Sequence, residues 1–134
     1  FYLIEYANIE KSKGSMTQGV DGKTLVAGFL NGLATDREHL TDDFFTDANL
    51  HDPEGVNIML LGLDVLPEYQ HQGLARKLME QYKERERARG RKKLILTCLP
   101  DKVEMYKKFG FKDHGIGDSV WGGEAWHEMD SILN

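Results

Sequence analysis

Residues 70–76, "QHQGLAR", set Gln70, Gly73 and Ala75 at a Q-x-x-G-x-A spacing just where an amphipathic run begins. The chemistry this suits is anion binding. The first turn of a helix presents N–H groups without intrahelical partners, and the helix dipole adds a positive potential. A glycine there admits a phosphate to the backbone with no Cβ in the way, and a small residue at 75 serves the same end. Arg76 and Lys77 fall in what would be the first turn, where cations are ordinarily disfavoured; a bound pyrophosphate would reverse that sign. The spacing alone also fits a helix start that uses glycine to end a turn. There is no GKS or GKT and no G-x-G, so the stretch is neither a P-loop nor the dinucleotide fingerprint.

Composition narrows the classes. A chain of 134 residues with 40% hydrophobic and 29% charged residues has the size and balance of one globular domain, 1–134. No apolar run approaches the roughly 20 residues of a membrane span, so no membrane partner is expected. There is no signal-peptide pattern, and the single Cys98 excludes an internal disulfide, which fits a reducing, cytoplasmic setting. Phe1 in place of Met leads to the expectation that the natural beginning is missing. Charge is segregated: residues 1–69 hold 4 Lys/Arg against 12 Asp/Glu, residues 70–112 hold 13 against 5, and residues 113–134 hold none against 5. "KERERARGRKK" reads as a solvated helix face. Its alternative is an anionic ligand in the middle third; nucleic acid is one such anion, but the acidic remainder would repel it, and no nucleic-acid partner is expected. Cys98 lies among apolar residues and reads as a packed, inert thiol rather than an acyl carrier. His71 and His114 show no ligand spacing, and no metal is expected.

The elements that must position these residues alternate simply. Residues 1–9 read as a strand, 10–23 as a loop and 24–35 as a second strand, with Gly28 and Gly32 marking a bulge or a close backbone approach. Residues 36–55 form an acidic excursion with a short helix near 41–48. Residues 56–67 are a mostly apolar strand of the kind buried on both faces. Residues 73–89 carry apolar positions 74, 75, 78, 79 and 82 at helical spacing, with Gly90 as the stop. A strand at 93–99, a short helix at 101–110 with Asp101 and Glu104 as a capping box, and two last strands complete the order β-β-β-α-β-α-β-β. Hairpins followed by crossovers imply a mixed α/β sheet with helices packed on it.

"LGLDVLPEY" before the opening motif and "MYKKFGF" some thirty residues after it resemble the Gcn5-related N-acetyltransferase (GNAT) superfamily. "LTC", Y-x-x-F-G-F and a late Glu128-Met129 are similar to its arylalkylamine N-acetyltransferase branch. The resemblance covers roughly residues 24–130. It implies a splayed central sheet flanked by helices, here short of the N-terminal strand and helices with which family members typically begin. It also implies acetyl-CoA as cosubstrate. Leu63, Asp64 and Val65 would pair with the pantetheine arm as an added strand, and the Leu63 N–H would face the oxyanion. Gln70 would open the pyrophosphate loop, whose backbone runs through His71, Gln72, Gly73, Leu74, Ala75 and Arg76. Thr97 and Cys98 would line the cleft. Tyr106 matches the family's general acid, although the residue pattern alone fits a tyrosine packed on Phe109.

The resemblance leaves the proton acceptor unassigned. Met59 and Leu61 stand where the family often carries Glu or His, and Leu99 stands where a pantetheine-binding Asn is frequent. His127, Glu128, His51 and Glu54 are the candidates, each equally readable as structural or solvated. The acidic excursion and C-terminal third imply a small cationic amine as acceptor. Homodimers are common in the family. The rival readings are an acyl-CoA sensor without catalysis, an acetyltransferase acting on a protein amine, and a nucleic-acid module built on "KERERARGRKK".

Overall fold

The computed structural model describes residues 2–5 and 28–133. It contains strands β1 (Tyr2–Glu5), β2 (Gly28–Thr35), β3 (Asn57–Val65), β4 (Lys93–Cys98), β5 (Lys112–Ile116) and β6 (His127–Ile132), with helices α1 (Leu74–Ala88) and α2 (Val103–Lys108). The expected loop at 10–23, and the expected strand residues 6–9 and 24–27, lie outside the described residues. The strands form one mixed sheet in the order β1-β2-β3-β4-β6-β5. Neighbours are antiparallel except β3 and β4, which run parallel because α1 crosses between them.

The sheet is split along its middle. β3 and β4 pair only from Asn57–Lys93 to Met59–Ile95 and then diverge. A bulge in β3 is the local cause. Asn31 pairs with Gly62 and Gly32 with Leu60, so Leu61 is an extra residue that bends β3 away from β4. The expected close approach at the β2 glycines is present: a Cβ on Gly28 would lie 2.8 Å from Asp64 O, and one on Gly32 would lie 2.6 Å from Met59 O.

The two faces of the sheet are covered differently. On one, Leu30, Ile58, Leu60, Leu94, Leu96 and Met129 pack with Met79 and Tyr82 of α1 and Val103 of α2. On the other, Leu33, Met59 and Ile95 are covered by Leu40 and Phe44 of the acidic excursion. The excursion forms 3₁₀ turns at Asp42–Phe45 and Ala48–Leu50 rather than one helix. Its carboxylates fasten it down. Asp36 accepts the Val56 N–H at 3.0 Å, and Asp42 accepts from the Ser119 hydroxyl and from the Val120 N–H.

α1 follows its apolar spacing, burying Leu74, Leu78, Met79 and Tyr82; each such side chain withdrawn from water contributes about 1.5–3 kcal/mol. Gly90, at φ +83°, ends it as expected. The charged run after Tyr82 is not wholly a solvated face, because Glu86 is fully buried. Its carboxylate meets Arg91 Nε at 3.3 Å and Arg89 Nη1 at 3.4 Å. The capping box expected at Asp101 and Glu104 does not form. Pro100 starts a 3₁₀ turn (Pro100–Lys102) ahead of α2, so Asp101 sits inside that turn and Lys102 precedes the helix without a side-chain cap.

Candidate functional site

The split between β3 and β4 opens into a cavity of about 630 Å³. Its walls are the ends of the two strands, the loop before α1, the first turn of α1, and α2. Among the residues expected to do chemistry, Leu63, Asp64, Val65, Gln70, His71, Gly73, Leu74, Ala75, Arg76, Thr97, Cys98 and Tyr106 all line it. Gln72 does not: its amide turns back to donate to Glu68 O at 3.2 Å. Trp126, which no sequence signal marked, does line it.

The loop from β3 to α1 is held in an unusual backbone. Tyr69 is buried against Leu74 and Val65, which anchors it. Gln70 Nε2 donates to Val65 O at 3.0 Å and so closes the end of β3. His71 has φ +62° and Gly73 has φ +78°, two left-handed residues one apart. Such alternation turns successive N–H groups toward one side, a concavity suited to an anion. Gly73 is also the N-cap of α1, and no side chain caps the helix there. Arg76 reaches away from the first turn to α2, where its guanidinium donates to Lys108 O at 3.2 Å and lies over the Phe109 ring. It thus bridges α1 and α2 across the cavity.

Tyr106 is half-buried, edge-on to Phe109 and Phe111 with ring centroids 6.0 and 5.8 Å apart. Burial, with the neighbouring Cys98 second, pushes its phenol up to about 12. Cys98 donates to Met129 Sδ at 3.6 Å, and burial pushes its thiol up to about 11. A thiol in that range stays protonated and is a poor nucleophile.

The four candidate proton acceptors separate clearly. Glu54 is exposed in the turn before β3, and His51 accepts the Ala34 N–H on Nδ1 at 3.0 Å. Burial holds the His51 imidazole below its ordinary range. Both lie toward the Asn57 end of β3, about 20 Å from Leu63 at about 3.3 Å per strand residue, and neither lines the cavity. His127 Nδ1 bonds Asp113 Oδ1 at 3.0 Å. Glu128 is buried on β6, where it accepts the Leu40 N–H at 2.8 Å and bonds His39 Nδ1 at 2.9 Å. Met59, fully buried, and the half-buried Leu61 offer no titratable group.

Residues 20–113 match the model of the acetyltransferase (GNAT) domain family. The chain belongs to the GNAT family. Solved structures share its fold. The GNAT-like loading domain of CurA from Lyngbya majuscula superposes with a TM-score of 0.67 at 17% identity, covering 86% of this chain and 74% of that one. The GNAT-like decarboxylase GphF, solved with isobutyryl-CoA, gives 0.64 at 18% identity, covering 83% and 74%. Nourseothricin acetyltransferase gives 0.58 at 21% identity, covering 87% of this chain; the chain spans 62% of that enzyme's length. No curated protein sequence matches the chain. Within this GNAT domain the split sheet, the left-handed loop and the aromatic α2 converge on one cavity. Among the described residues there is no group of His, Cys, Asp or Glu able to hold a metal, and no helix is long and apolar enough to cross a membrane.

Proposed function

We propose that this GNAT domain, residues 1–134 as one unit, transfers an acetyl group from acetyl-CoA to a primary amine by direct attack in a ternary complex. The observation that carries the reading is the cavity itself. One opening places unpaired strand edge, an uncapped helix start with two left-handed residues, and a half-buried tyrosine along a single path. The pantetheine arm would lie along Leu63, Asp64 and Val65 in the gap that β4 leaves. The pyrophosphate would take the N–H groups from His71 to Arg76. The Leu63 N–H would stabilise the oxyanion, and Tyr106 would protonate the departing thiolate. The excursion carries seven Asp/Glu against the single Arg37, which supports a small cationic acceptor. The Thr97-Cys98 and Tyr106 signatures support a place near the arylalkylamine branch, with Met59 and Leu61 as its departures. The single Cys98 supports a reducing, cytoplasmic setting.

Calorimetric titration with acetyl-CoA, followed by thiol release with arylalkylamines, polyamines, aminoglycosides and amino-acid amides, tests the reading. Binding plus release with at least one amine is expected. Binding without release for any amine would favour the acyl-CoA sensor, which Met59 and Leu61 make the second reading. Neutral amides acetylated far better than the cationic amines would sink the cationic acceptor.

Gly73 supplies a separate check. No atom lies within 4 Å of where its Cβ would stand, so a side chain there meets open cavity, but φ +78° is strained for a β-branched residue. Gly73→Val is expected to cost about 1–3 kcal/mol in urea unfolding and to weaken acetyl-CoA binding by about tenfold or more. Gly73→Val that binds acetyl-CoA as wild type does would remove this loop from the pyrophosphate site.

A further inference from the structure

Resting on the acyltransferase reading above, we propose that His39, oriented by Glu128, is the group that takes the proton from the attacking amine. The family position for that role is empty here, since β3 carries Met59 and Leu61. The split sheet supplies a replacement from the opposite side. Thr97 lines the large cavity and also a smaller one of about 240 Å³ at the apex of the split, beside Leu61, Gly62 and Tyr106. Thr97 pairs directly with Glu128 across β4 and β6. Directly paired residues share a face, with Cβ atoms about 4.5–5.5 Å apart. Strand alternation puts Thr97 and Glu128 on the excursion side, while Cys98 packs on the helix side. Tyr106 lines the apex, while Glu128 and His39 line neither cavity; the pair stands on the excursion face one strand beyond Thr97 and would reach an amine at the apex through one water.

The pair has the geometry of an oriented base. Glu128 is buried, and the Leu40 N–H fixes one carboxylate oxygen at 2.8 Å. The other oxygen holds His39 Nδ1 at 2.9 Å, while the His39 side chain is 70% exposed. With Nδ1–H donated to the carboxylate, the lone pair of the neutral ring is on Nε2, facing solvent. This is the tautomer that a carboxylate imposes on a histidine base. Gly117 lets the two strands close over Glu128, since a Cβ on it would stand 3.0 Å from Glu128 Cβ.

The proton balance closes. Nε2 accepts the proton that nitrogen sheds as the C–N bond forms. The C–S bond breaks, and the thiolate takes the Tyr106 proton. Solvent then reprotonates the phenolate and discharges the imidazolium. One neutral amine and one thioester give an amide and a thiol; an acceptor that arrives as ammonium first loses one proton to solvent.

The charged groups around His39 are Glu128 on β6, Asp118 in the β5–β6 loop, Lys93 on β4 and the adjacent Glu38, itself held by Lys93. The hydrogen bond and charge of Glu128 raise the His39 imidazole above its ordinary range. The base is thus protonated and idle at low pH, and activity rises as pH passes the raised value.

The test uses acetyl-CoA and the amine that wild type acetylates fastest, from pH 6 to 9. His39→Gln is expected to lower kcat by about tenfold or more, to leave the Kd for acetyl-CoA unchanged, and to lose the acid limb of kcat/KM. Glu128→Gln, which can still accept from Leu40, is expected to keep that limb but move it to lower pH. A His39→Gln profile within twofold of wild type overturns the assignment and leaves the acyltransferase reading standing. Failure of wild type to acetylate any amine overturns both.

Discussion

Arg91→Ala is expected to destabilise the domain by about 3 kcal/mol, the scale of a buried pair left with one member. Glu86 is fully buried, and the Arg91 side chain is only 12% exposed beside it. Removing the guanidinium leaves a carboxylate in the interior with the half-exposed Arg89 at 3.4 Å as its remaining named cation. Arg91 does more than balance charge. It donates to Pro53 O at 3.0 Å and also to Gly55 O, in the turn that launches β3. The Arg91 N–H also bonds Glu86 O at 3.0 Å. One side chain therefore ties the end of α1 to the start of the strand whose other end forms the cavity. Arg89→Ala, at a more solvated position, should cost less than about 1 kcal/mol. A Glu86→Leu/Arg91→Met pair should recover most of the loss, because the buried charge goes with its partner. Urea unfolding with unchanged slope checks all three. An Arg91→Ala midpoint matching wild type would show that water or Arg89 satisfies Glu86.

The contrast between Glu86 and the α1 stripe shows where sequence periodicity carries the fold and where it stops. Leu74, Leu78, Met79 and Tyr82 recur at helical spacing, and their burial follows from hydrophobicity alone. Glu86 continues the same stripe, but its charge places it with the solvated run around it. Only the return of Arg91 and the 53–55 turn makes its burial tolerable, and that is a tertiary fact. The strands at 93–98 and 57–65 were legible from apolar runs, and the cavity loop from the spacing of Gly73 and Ala75. The split was legible only through the family resemblance and not from the residue pattern, because it depends on the register of β2 against β3, where Leu61 is one extra residue. His39 was invisible for the same reason: its bond to Glu128 spans 89 positions, and nothing local distinguishes it from a solvated histidine. Pro100 misled in the other direction, because Asp101 and Glu104 have the spacing of a capping box that the 3₁₀ turn pre-empts.

Tyr106→Phe is expected to lower turnover by about 10²-fold, within the range of one general acid, and to leave acetyl-CoA binding intact. The objection to a tyrosine acid is its weakness, and burial makes it weaker still by pushing the phenol up to about 12. The group it must serve is changed by the same cavity. Cys98, a thiol lining that cavity, is pushed up to about 11. A pantetheine thiol leaving beside it would meet similar desolvation, so donor and acceptor approach a match that they lack in water. The sign of the pH dependence follows. A raised phenol stays protonated throughout pH 6–9, so Tyr106 adds no basic limb there, and the Phe variant should lie below wild type by a constant factor. Stability should change by less than about 1 kcal/mol, since phenylalanine keeps the edge-on packing against Phe109 and Phe111 and leaves the cavity shape alone. Those two constancies separate chemistry from packing: a ring needed only to fill the wall of α2 would give a Phe variant of normal turnover, and that result across pH 6–9 would take Tyr106 out of the mechanism.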